Sequence, residues 1–147
     1  EKNFTLRYAT ADDAASVAGL LSELGHPTSA SDIPDRLAGL VREGGAVLLA
    51  TDPSGSPLGV MSLTRLTTLH SIGPVAYITA LVTTSAARRR GVGRAFISAA
   101  KEWARDNGCA RITVTSAERR ADAHAFYPAC GLPYTGRRFS TALDAAD

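Results

Sequence analysis

The sequence has few of the features that mark secreted, membrane or nucleic-acid-binding proteins. It contains only two cysteines, Cys109 and Cys130, which make no disulfide framework and do not stand at metal-ligand spacing from the three histidines. The uncharged stretch from Leu66 to Ala87 is interrupted by His70, Gly73, Pro74 and many hydroxyl residues, which excludes a spanning helix. A formal net charge of +2 is too mild to indicate a nucleic-acid partner. We therefore expect no metal, no membrane and no nucleic acid, with reduced cysteines in the cytoplasm.

The composition is that of an ordinary globular domain. The 147 residues suffice to bury one hydrophobic core, and the 45% apolar and 20% charged residues are close to average. No internal repeat, linker or low-complexity tract divides the chain, so we expect a single soluble domain over residues 1–147. No signal-peptide pattern opens the chain, and because it begins with Glu1 rather than Met we expect a trimmed or incomplete start.

Hydrophobic periodicity predicts a chain of alternating helices and strands. Apolar residues recur at helical spacing from Val17 to Leu24, from Ile33 to Val41 and from Val92 to Trp103, with a short helix over Asp122 to Ala129. Strand-like runs are Ala46 to Thr51, Leu58 to Leu66, Ala76 to Val82, Ile112 to Val114 and Tyr134 to Leu143. The strand, helix and strand around Arg88 to Thr115 imply a parallel crossover. We therefore expect an α/β (α+β) fold with a mixed sheet covered by helices.

A glycine-containing, arginine-rich turn connects the third of these strands to the longest helix. It reads Arg88-Arg89-Arg90-Gly91-Val92-Gly93-Arg94. The first backbone N–H groups of a helix lack partners within the helix, and the helix dipole adds positive charge there, so a phosphate is stabilised at such a turn. Glycines let the backbone approach the anion closely. The turn therefore predicts a phosphate-binding site, although a solvated basic face or a nucleic-acid patch would show the same arginines.

Two familiar phosphate-binding motifs do not fit this turn. A P-loop needs Gly, four residues and Gly-Lys-Ser/Thr, and the chain has no such run. A dinucleotide fingerprint needs a third glycine at position 96, which is Phe96. Kinase-like, ATPase-like and dinucleotide-binding activities are therefore disfavoured.

The segment from Leu81 to Arg94 resembles the acetyl-coenzyme A signature of the GNAT N-acetyltransferase superfamily. The spacing Arg88-x-x-Gly91-x-Gly93 matches that signature without a gap. Downstream, Ala123-His-Ala-Phe126-Tyr127-Pro-Ala-Cys-Gly131-Leu132 resembles the family's Ala-x-x-Phe-Tyr-x-x-x-Gly-Phe segment. Together with the order of elements, the resemblance covers nearly the whole chain. It implies a GNAT-like fold, with a twisted, mostly antiparallel sheet and its parallel crossover at the cofactor site, and a cytoplasmic acetyl-CoA-dependent N-acetyltransferase without a metal.

The resemblance also implies roles for individual residues. The pyrophosphate would bind at Arg88, Arg89, Arg90, Gly91, Val92, Gly93 and Arg94. The pantetheine arm would pair with Leu81, Val82 and Thr83 like an added strand, one amide polarising the acetyl carbonyl. Tyr127 stands where the family carries the proton donor to the leaving sulfur, and Phe126 beside it is assigned to the cofactor site or to the core. A tyrosine in the core with its hydroxyl at the surface is the alternative for Tyr127.

Other parts of the resemblance are incomplete. The family usually has an asparagine at the position of Arg120, which leaves open the contact made there. No carboxylate or imidazole stands on the strand from Ala76 to Val82, so Glu118, His124, His26 or a water chain remains as the general base. Specificity is expected in the loops Gly25 to Asp32 and Leu66 to Pro74.

Three functions are compatible with these patterns. The first is an enzyme that acetylates a primary amine, with aminoglycoside, polyamine, amino acid, peptide N-terminus and lysine side chain all open as acceptors. The second is a noncatalytic module that senses acetyl-CoA, and the third is a basic nucleic-acid adaptor, whose affinity would fall steeply with salt. The glycine turn and Tyr127 favour the enzyme. Because members of the resembled family are often dimers, a homodimer remains an open alternative.

Overall fold

The computed structural model describes residues 3–88, 90–115, 121–136 and 139–143, with only the backbone of residues 121–124. The chain divides into two compact units, Glu1–Val114 and Thr115–Asp147. The larger unit contains the sheet and the three longer helices, and the smaller unit contains a short helix. The single domain expected over residues 1–147 stays a prediction.

Apart from β1, for which the periodicity predicts no strand, the helices and strands of the larger unit lie where it predicts them, with ends shifted by up to three residues. In chain order they are β1 (Thr5–Tyr8), α1 (Ala14–Glu23), α2 (Ile33–Arg42), β2 (Ala46–Thr51), β3 (Pro57–Leu66), β4 (Val75–Thr83), α3 (Val92–Asp106) and β5 (Arg111–Val114). The smaller unit contains α4 (Ala121–Ala129). Gly25 follows α1 and Gly44 follows α2, both with the positive φ that commonly ends a helix.

The five strands form one sheet in the order β1-β2-β3-β4-β5. The first three pairs of neighbours are antiparallel. The pair β4 and β5 is parallel, with Val75 opposite Arg111 and Ile78 opposite Val114. This sheet confirms the expected α/β (α+β) class, mixed and mostly antiparallel, with a parallel crossover through α3.

Helices cover both faces of the sheet. Val17, Leu20 and other residues of α1 pack in one cluster with Val60 of β3 and Val82 of β4. Position 59 faces the opposite side of the sheet from Val60, and a Cβ added to Gly59 would lie 3.0 Å from the Phe96 ring of α3. Phe96 is fully buried. Consequently α1 and α3 lie on opposite faces, and β4 is held between them.

The strand expected from Tyr134 to Leu143 is wrong for the residues of that segment which the structure describes. Residues 134–136 and 139–143 adopt no regular secondary structure. The apolar side chains that suggested a strand are exposed: Tyr134 by 68%, Phe139 by 88% and Leu143 by 89%. A strand forms by pairing its backbone with a neighbour, and none of the described residues of the smaller unit forms a strand.

Candidate active site

The turn between β4 and α3 has the backbone geometry of an anion site. A 3₁₀ turn, Ser85–Ala87, follows β4, and the Thr84 hydroxyl accepts the Ala87 N–H at 3.2 Å. Gly91 then adopts φ +83°, in the left-handed region that side chains disfavour, and α3 begins at Val92. The glycine therefore makes the sharp entry into α3 without strain.

The start of α3 presents N–H groups that the helix does not use. The Ala95 N–H donates to the Gly91 carbonyl at 3.0 Å as the helix begins. The N–H groups of Val92, Gly93 and Arg94 therefore have no acceptor within the helix. Because the helix dipole adds positive charge at the same end, this turn favours a phosphate.

The arginines of the turn differ in their surroundings. Arg88 and Arg94 are exposed. Arg90 is half-buried, and its guanidinium donates to the Asn3 carbonyl at 3.1 Å. The Arg90 charge also contributes to lowering the pKa of Asp52, which is lowered chiefly by the hydrogen bond from the Ser54 hydroxyl. Arg89 lies outside the described residues. Among the described arginines of this turn, Arg88 and Arg94 are thus the most accessible to an anion.

In the part of the chain that the structure describes, the edge of β4 beside this turn is open. Pairing with β5 ends where Ile78 lies opposite Val114, whereas the antiparallel pairing with β3 continues to Thr83. No described residue pairs with the other edge of residues 79–83, which include Leu81, Val82 and Thr83. An extended chain with amide groups would hydrogen-bond there as an added strand. The open edge and the adjacent anion turn fit the pantetheine and diphosphate parts of acetyl-CoA.

A close approach at Gly59 supports this edge, and no sequence pattern predicted it. A Cβ on Gly59 would lie 2.6 Å from the Val82 carbonyl oxygen, 3.0 Å from the Phe96 ring and 3.3 Å from the Thr83 methyl. Only a glycine lets β3, β4 and α3 meet this closely. Gly59 therefore fixes the strand that carries Val82 and Thr83 against the helix that begins at the anion turn.

A second unpredicted feature is a pair of hydroxyls on the same two strands. The Oγ of Ser62 and the Oγ1 of Thr79 lie 2.6 Å apart across β3 and β4. The pair depends on the pairing register of the two strands, which residue spacing alone does not reveal.

In the smaller unit, Phe126 and Tyr127 occupy the end of α4. Both side chains are half-buried, and their rings pack edge to face with centroids 5.3 Å apart. The Leu132 N–H donates to the Tyr127 carbonyl at 2.9 Å, and Gly131 adopts φ +89°. This helix end fixes the backbone from which the Tyr127 hydroxyl extends.

The residues considered as general base are only partly described. His26 is exposed in the connection between α1 and α2, where its carbonyl accepts the Thr28 hydroxyl at 2.7 Å. Glu118 and Arg120 lie outside the described residues, and so does the side chain of His124. The base therefore stays unassigned.

A sizeable groove of the larger unit lies away from the anion turn. Its volume is about 760 Å³, and its lining includes Tyr8, Leu37, Val41, Trp103 and Asp106. Trp103 and Asp106 belong to the last turns of α3, whereas the anion turn lies at the opposite end of that helix. Within the described ranges, no group of His, Cys, Asp or Glu residues could hold a metal ion, and no helix is long and apolar enough to cross a membrane.

Comparison of the sequence with families and individual proteins points to one enzyme family. Residues 19–132 match the Acetyltransferase (GNAT) family. The chain is 34% identical over 137 residues to an aminoglycoside N(6')-acetyltransferase type 1 of Stenotrophomonas maltophilia, covering 90% of this chain and 88% of that protein. It is 38% identical over 81 residues to an enzyme of the same name from Klebsiella aerogenes, covering 54% and 53% of the two chains.

Solved structures show the same fold. The aminoglycoside N-acetyltransferase AAC(6')-Iy, solved in complex with CoA, superposes with a TM-score of 0.84 at 16% identity, over 97% of this chain and 96% of that one. An acetyltransferase of Trypanosoma brucei superposes with a TM-score of 0.82 at 24% identity, over 95% and 99% of the two chains. The chain belongs to the GNAT acetyltransferase family and is an acetyl-CoA-dependent N-acetyltransferase.

Proposed function

We propose that this enzyme acetylates the 6'-amine of an aminoglycoside by direct attack on acetyl-CoA in a ternary complex. The observation that carries the choice of acceptor is the 34% identity, over 90% of this chain, to a protein named as an aminoglycoside N(6')-acetyltransferase. The match covers almost the whole chain rather than the cofactor segment alone.

Charge around the expected acceptor loop supports a cationic acceptor. Between residues 22 and 36 the exposed side chains include the carboxylates of Glu23, Asp32 and Asp35 but only one guanidinium, that of Arg36. Arg36 lies 4.0 Å from Asp32, at the limit of an ion pair. Aminoglycosides carry several ammonium groups, so a surface with excess negative charge attracts them.

The anion turn and the open edge of β4 suit the donor. Acetyl-CoA supplies an acetyl group as a thioester when it is bound. The free N–H groups of Val92, Gly93 and Arg94 bind the diphosphate, and the exposed guanidinium of Arg88 adds charge-assisted hydrogen bonds. The open edge of Leu81 to Thr83 binds the amide groups of the arm, and one backbone N–H there polarises the acetyl carbonyl. Arg89, Arg90 and Phe126 are further candidates for cofactor contact.

Tyr127 is proposed to supply the proton for the leaving sulfur. In the reaction the amine nitrogen bonds to the acetyl carbon, the carbon–sulfur bond breaks, and the Tyr127 hydroxyl gives the sulfur its proton. The nitrogen loses one proton to solvent, so the products are the amide and the CoA thiol. The hydroxyl regains a proton from solvent. An unperturbed tyrosine has a pKa of about 10 and a free thiol about 8.5, a match close enough for this transfer. The edge-to-face packing against Phe126 holds the Tyr127 ring in place.

A paired assay tests the choice of acceptor. Purified enzyme is incubated with acetyl-CoA and either neamine or the same compound with a hydroxyl in place of its 6'-amine. CoA thiol release and the mass of the product are measured. We expect turnover and a singly acetylated product with neamine only. Equal turnover with the 6'-hydroxyl compound, or none with either, would overturn the assignment of the 6'-amine.

A further inference from the structure

We infer that Ser62 and Thr79 bind the nitrogen of the acceptor amine and orient it toward the acetyl group. This inference rests on the proposed function. Its starting point is the 2.6 Å distance between the Ser62 Oγ and the Thr79 Oγ1, which joins two hydroxyls from adjacent strands. No general base is assigned to the acceptor site. The hydroxyl pair lies on β3 and β4, at the residue where the open edge of β4 begins.

Two irregularities of the sheet coincide at Thr79. Ser62 lies opposite Ala80 and Leu63 lies opposite Ile78, so Thr79 is an extra residue in β4 and forms a bulge. The preceding residue, Ile78, is the last that pairs with β5. Thr79 is therefore the first residue of the open edge. A bulge re-aims the side chains of its strand, and bulges are frequent beside active sites.

The pair lies next to the expected position of the thioester. With the diphosphate at the start of α3, the arm runs back along β4 from Thr83 toward Leu81. Thr79 lies two residues beyond Leu81, which corresponds to about 7 Å along a strand. The end of the arm that carries the reacting carbon therefore approaches the hydroxyl pair.

The pair is also accessible from one face of the sheet. Val60 and Val82 are only 2% and 4% exposed because α1 covers them. Ser62 follows Val60 on the same face of β3, but it is half-buried, and Thr79 is exposed. Helix α1 therefore covers Val60 and Val82 but does not cover the hydroxyl pair. On the other face, α3 packs against β3 and β4.

The hydrogen bonds of the pair leave an acceptor site for an N–H group. Either hydroxyl can donate across the 2.6 Å contact, and the Thr79 hydroxyl also lies 3.4 Å from the Ser62 carbonyl. Because each hydroxyl oxygen has two lone pairs, the Ser62 Oγ retains at least one lone pair to accept an N–H of the acceptor in either arrangement. An uncharged hydroxyl does not hold the amine in its protonated form as a carboxylate would. A neutral amine held by its N–H keeps its nitrogen lone pair for the acetyl carbon.

Thr79→Val and Ser62→Ala test the inference, with Thr5→Val, an exposed threonine of the edge strand β1, as the matched control. Titration calorimetry measures neamine binding to each variant in the presence of CoA, which cannot react, and acetyl-CoA binding separately. Kinetics give KM for neamine. Loss of one net hydrogen bond corresponds to about a fivefold to tenfold weaker neamine affinity. We expect this loss in Thr79→Val and Ser62→Ala, with acetyl-CoA affinity unchanged, and neither change in Thr5→Val.

Thr79→Ser separates this role from a purely structural one, because it retains the hydroxyl and should retain neamine binding. Unchanged neamine affinity in Thr79→Val and Ser62→Ala would overturn the inference. Equal losses of acetyl-CoA and neamine binding would overturn it too, since they would show a role in shaping the strand. Failure of the unsubstituted enzyme to acetylate neamine while it binds acetyl-CoA would instead contradict the proposed acceptor.

Discussion

The Asp13 carboxylate binds the Arg7 guanidinium through two hydrogen bonds, of 2.8 and 2.9 Å. It also accepts the Thr10 N–H at 2.8 Å. Arg7 belongs to β1, and Asp13 ends the 3₁₀ turn that leads into α1. One carboxylate therefore fixes the connection between the edge strand β1 and helix α1. The hydrogen bond from Arg7 is the main reason that the pKa of Asp13 is lowered to about 2.

The pKa of Asp13 makes its contribution to stability dependent on pH. Because the folded pKa, about 2, lies below the ordinary value of 3.8, the contribution is complete above about pH 4 and is lost as pH falls toward 2. We expect Asp13→Asn to lower the free energy of unfolding by about 1 kcal/mol at pH 7, since Arg7 is partly exposed to solvent. Urea unfolding at pH 7 and pH 3 measures this, and the difference from the unsubstituted protein should shrink at pH 3.

Asp12→Asn is the control for this prediction, because Asp12 is an exposed acid on the same turn. It should change stability by no more than a few tenths of a kcal/mol at either pH. An equal effect of the two substitutions, or an Asp13→Asn effect that grows toward pH 3, would contradict the assignment of the low pKa to the Arg7 pair.

The sequence predicted the longer helices, most of the strands and the position of the glycine turn before α3, because these signals are local. Helical spacing and glycines mark α1, α2 and α3, and Gly91 reveals the left-handed entry to α3 without knowledge of its surroundings. The features that it missed depend on contacts between distant segments. The Ser62–Thr79 pair exists only because a bulge shifts the register of β3 and β4, and the need for glycine at 59 comes from Phe96 of α3. The strand predicted from Tyr134 to Leu143, which is wrong for its described residues, had the composition of a strand but no neighbouring strand among the described residues of the smaller unit.

Gly91→Ala should impair the cofactor more than the fold. A Cβ at Gly91 would meet no atom within 4 Å, so the folded protein has room for it. The left-handed backbone, φ +83°, costs a side-chain residue about 1–2 kcal/mol, and the new methyl would face the expected phosphate. We expect a small fall in Tm and at least a tenfold rise in the Kd for acetyl-CoA, measured by thermal unfolding and calorimetry.

Gly19→Ala is the matched control for Gly91→Ala. Gly19 lies exposed within α1, and a Cβ there would also meet nothing within 4 Å. In a helix interior this change should stabilise the protein by about 0.5–1 kcal/mol and leave acetyl-CoA binding unchanged. Tight acetyl-CoA binding by Gly91→Ala would show that the phosphates do not approach this turn.

The arginines of the anion turn should contribute unequally to cofactor binding. Arg88 is exposed, whereas the guanidinium of Arg90 already donates to the Asn3 carbonyl. We expect Arg88→Gln to raise the Kd for acetyl-CoA by about tenfold, the equivalent of one charge-assisted hydrogen bond. Arg90→Gln should raise it less and lower Tm instead, because it removes a contact to the N-terminal segment. Calorimetry and thermal unfolding of both variants decide this, and a greater loss of affinity in Arg90→Gln would reverse the assignment.

Tyr127→Phe tests the proposed proton donor without removing the ring that packs against Phe126. General acid catalysis contributes about 10²–10⁴-fold to a rate, and a thiolate needs the proton less than stronger bases do, so we expect kcat to fall by about a hundredfold. The Kd for acetyl-CoA should change by less than about twofold, because the lost hydroxyl acts on the thiolate that forms in the transition state and not on the intact thioester.

Tyr134→Phe is the matched control for Tyr127→Phe, since Tyr134 lies in the same unit and is 68% exposed. Steady-state kinetics with neamine and calorimetry with acetyl-CoA measure both effects. If Tyr127→Phe retained full kcat, the sulfur would take its proton from another donor. If its acetyl-CoA affinity fell as far as its kcat, Tyr127 would act in binding rather than in proton transfer.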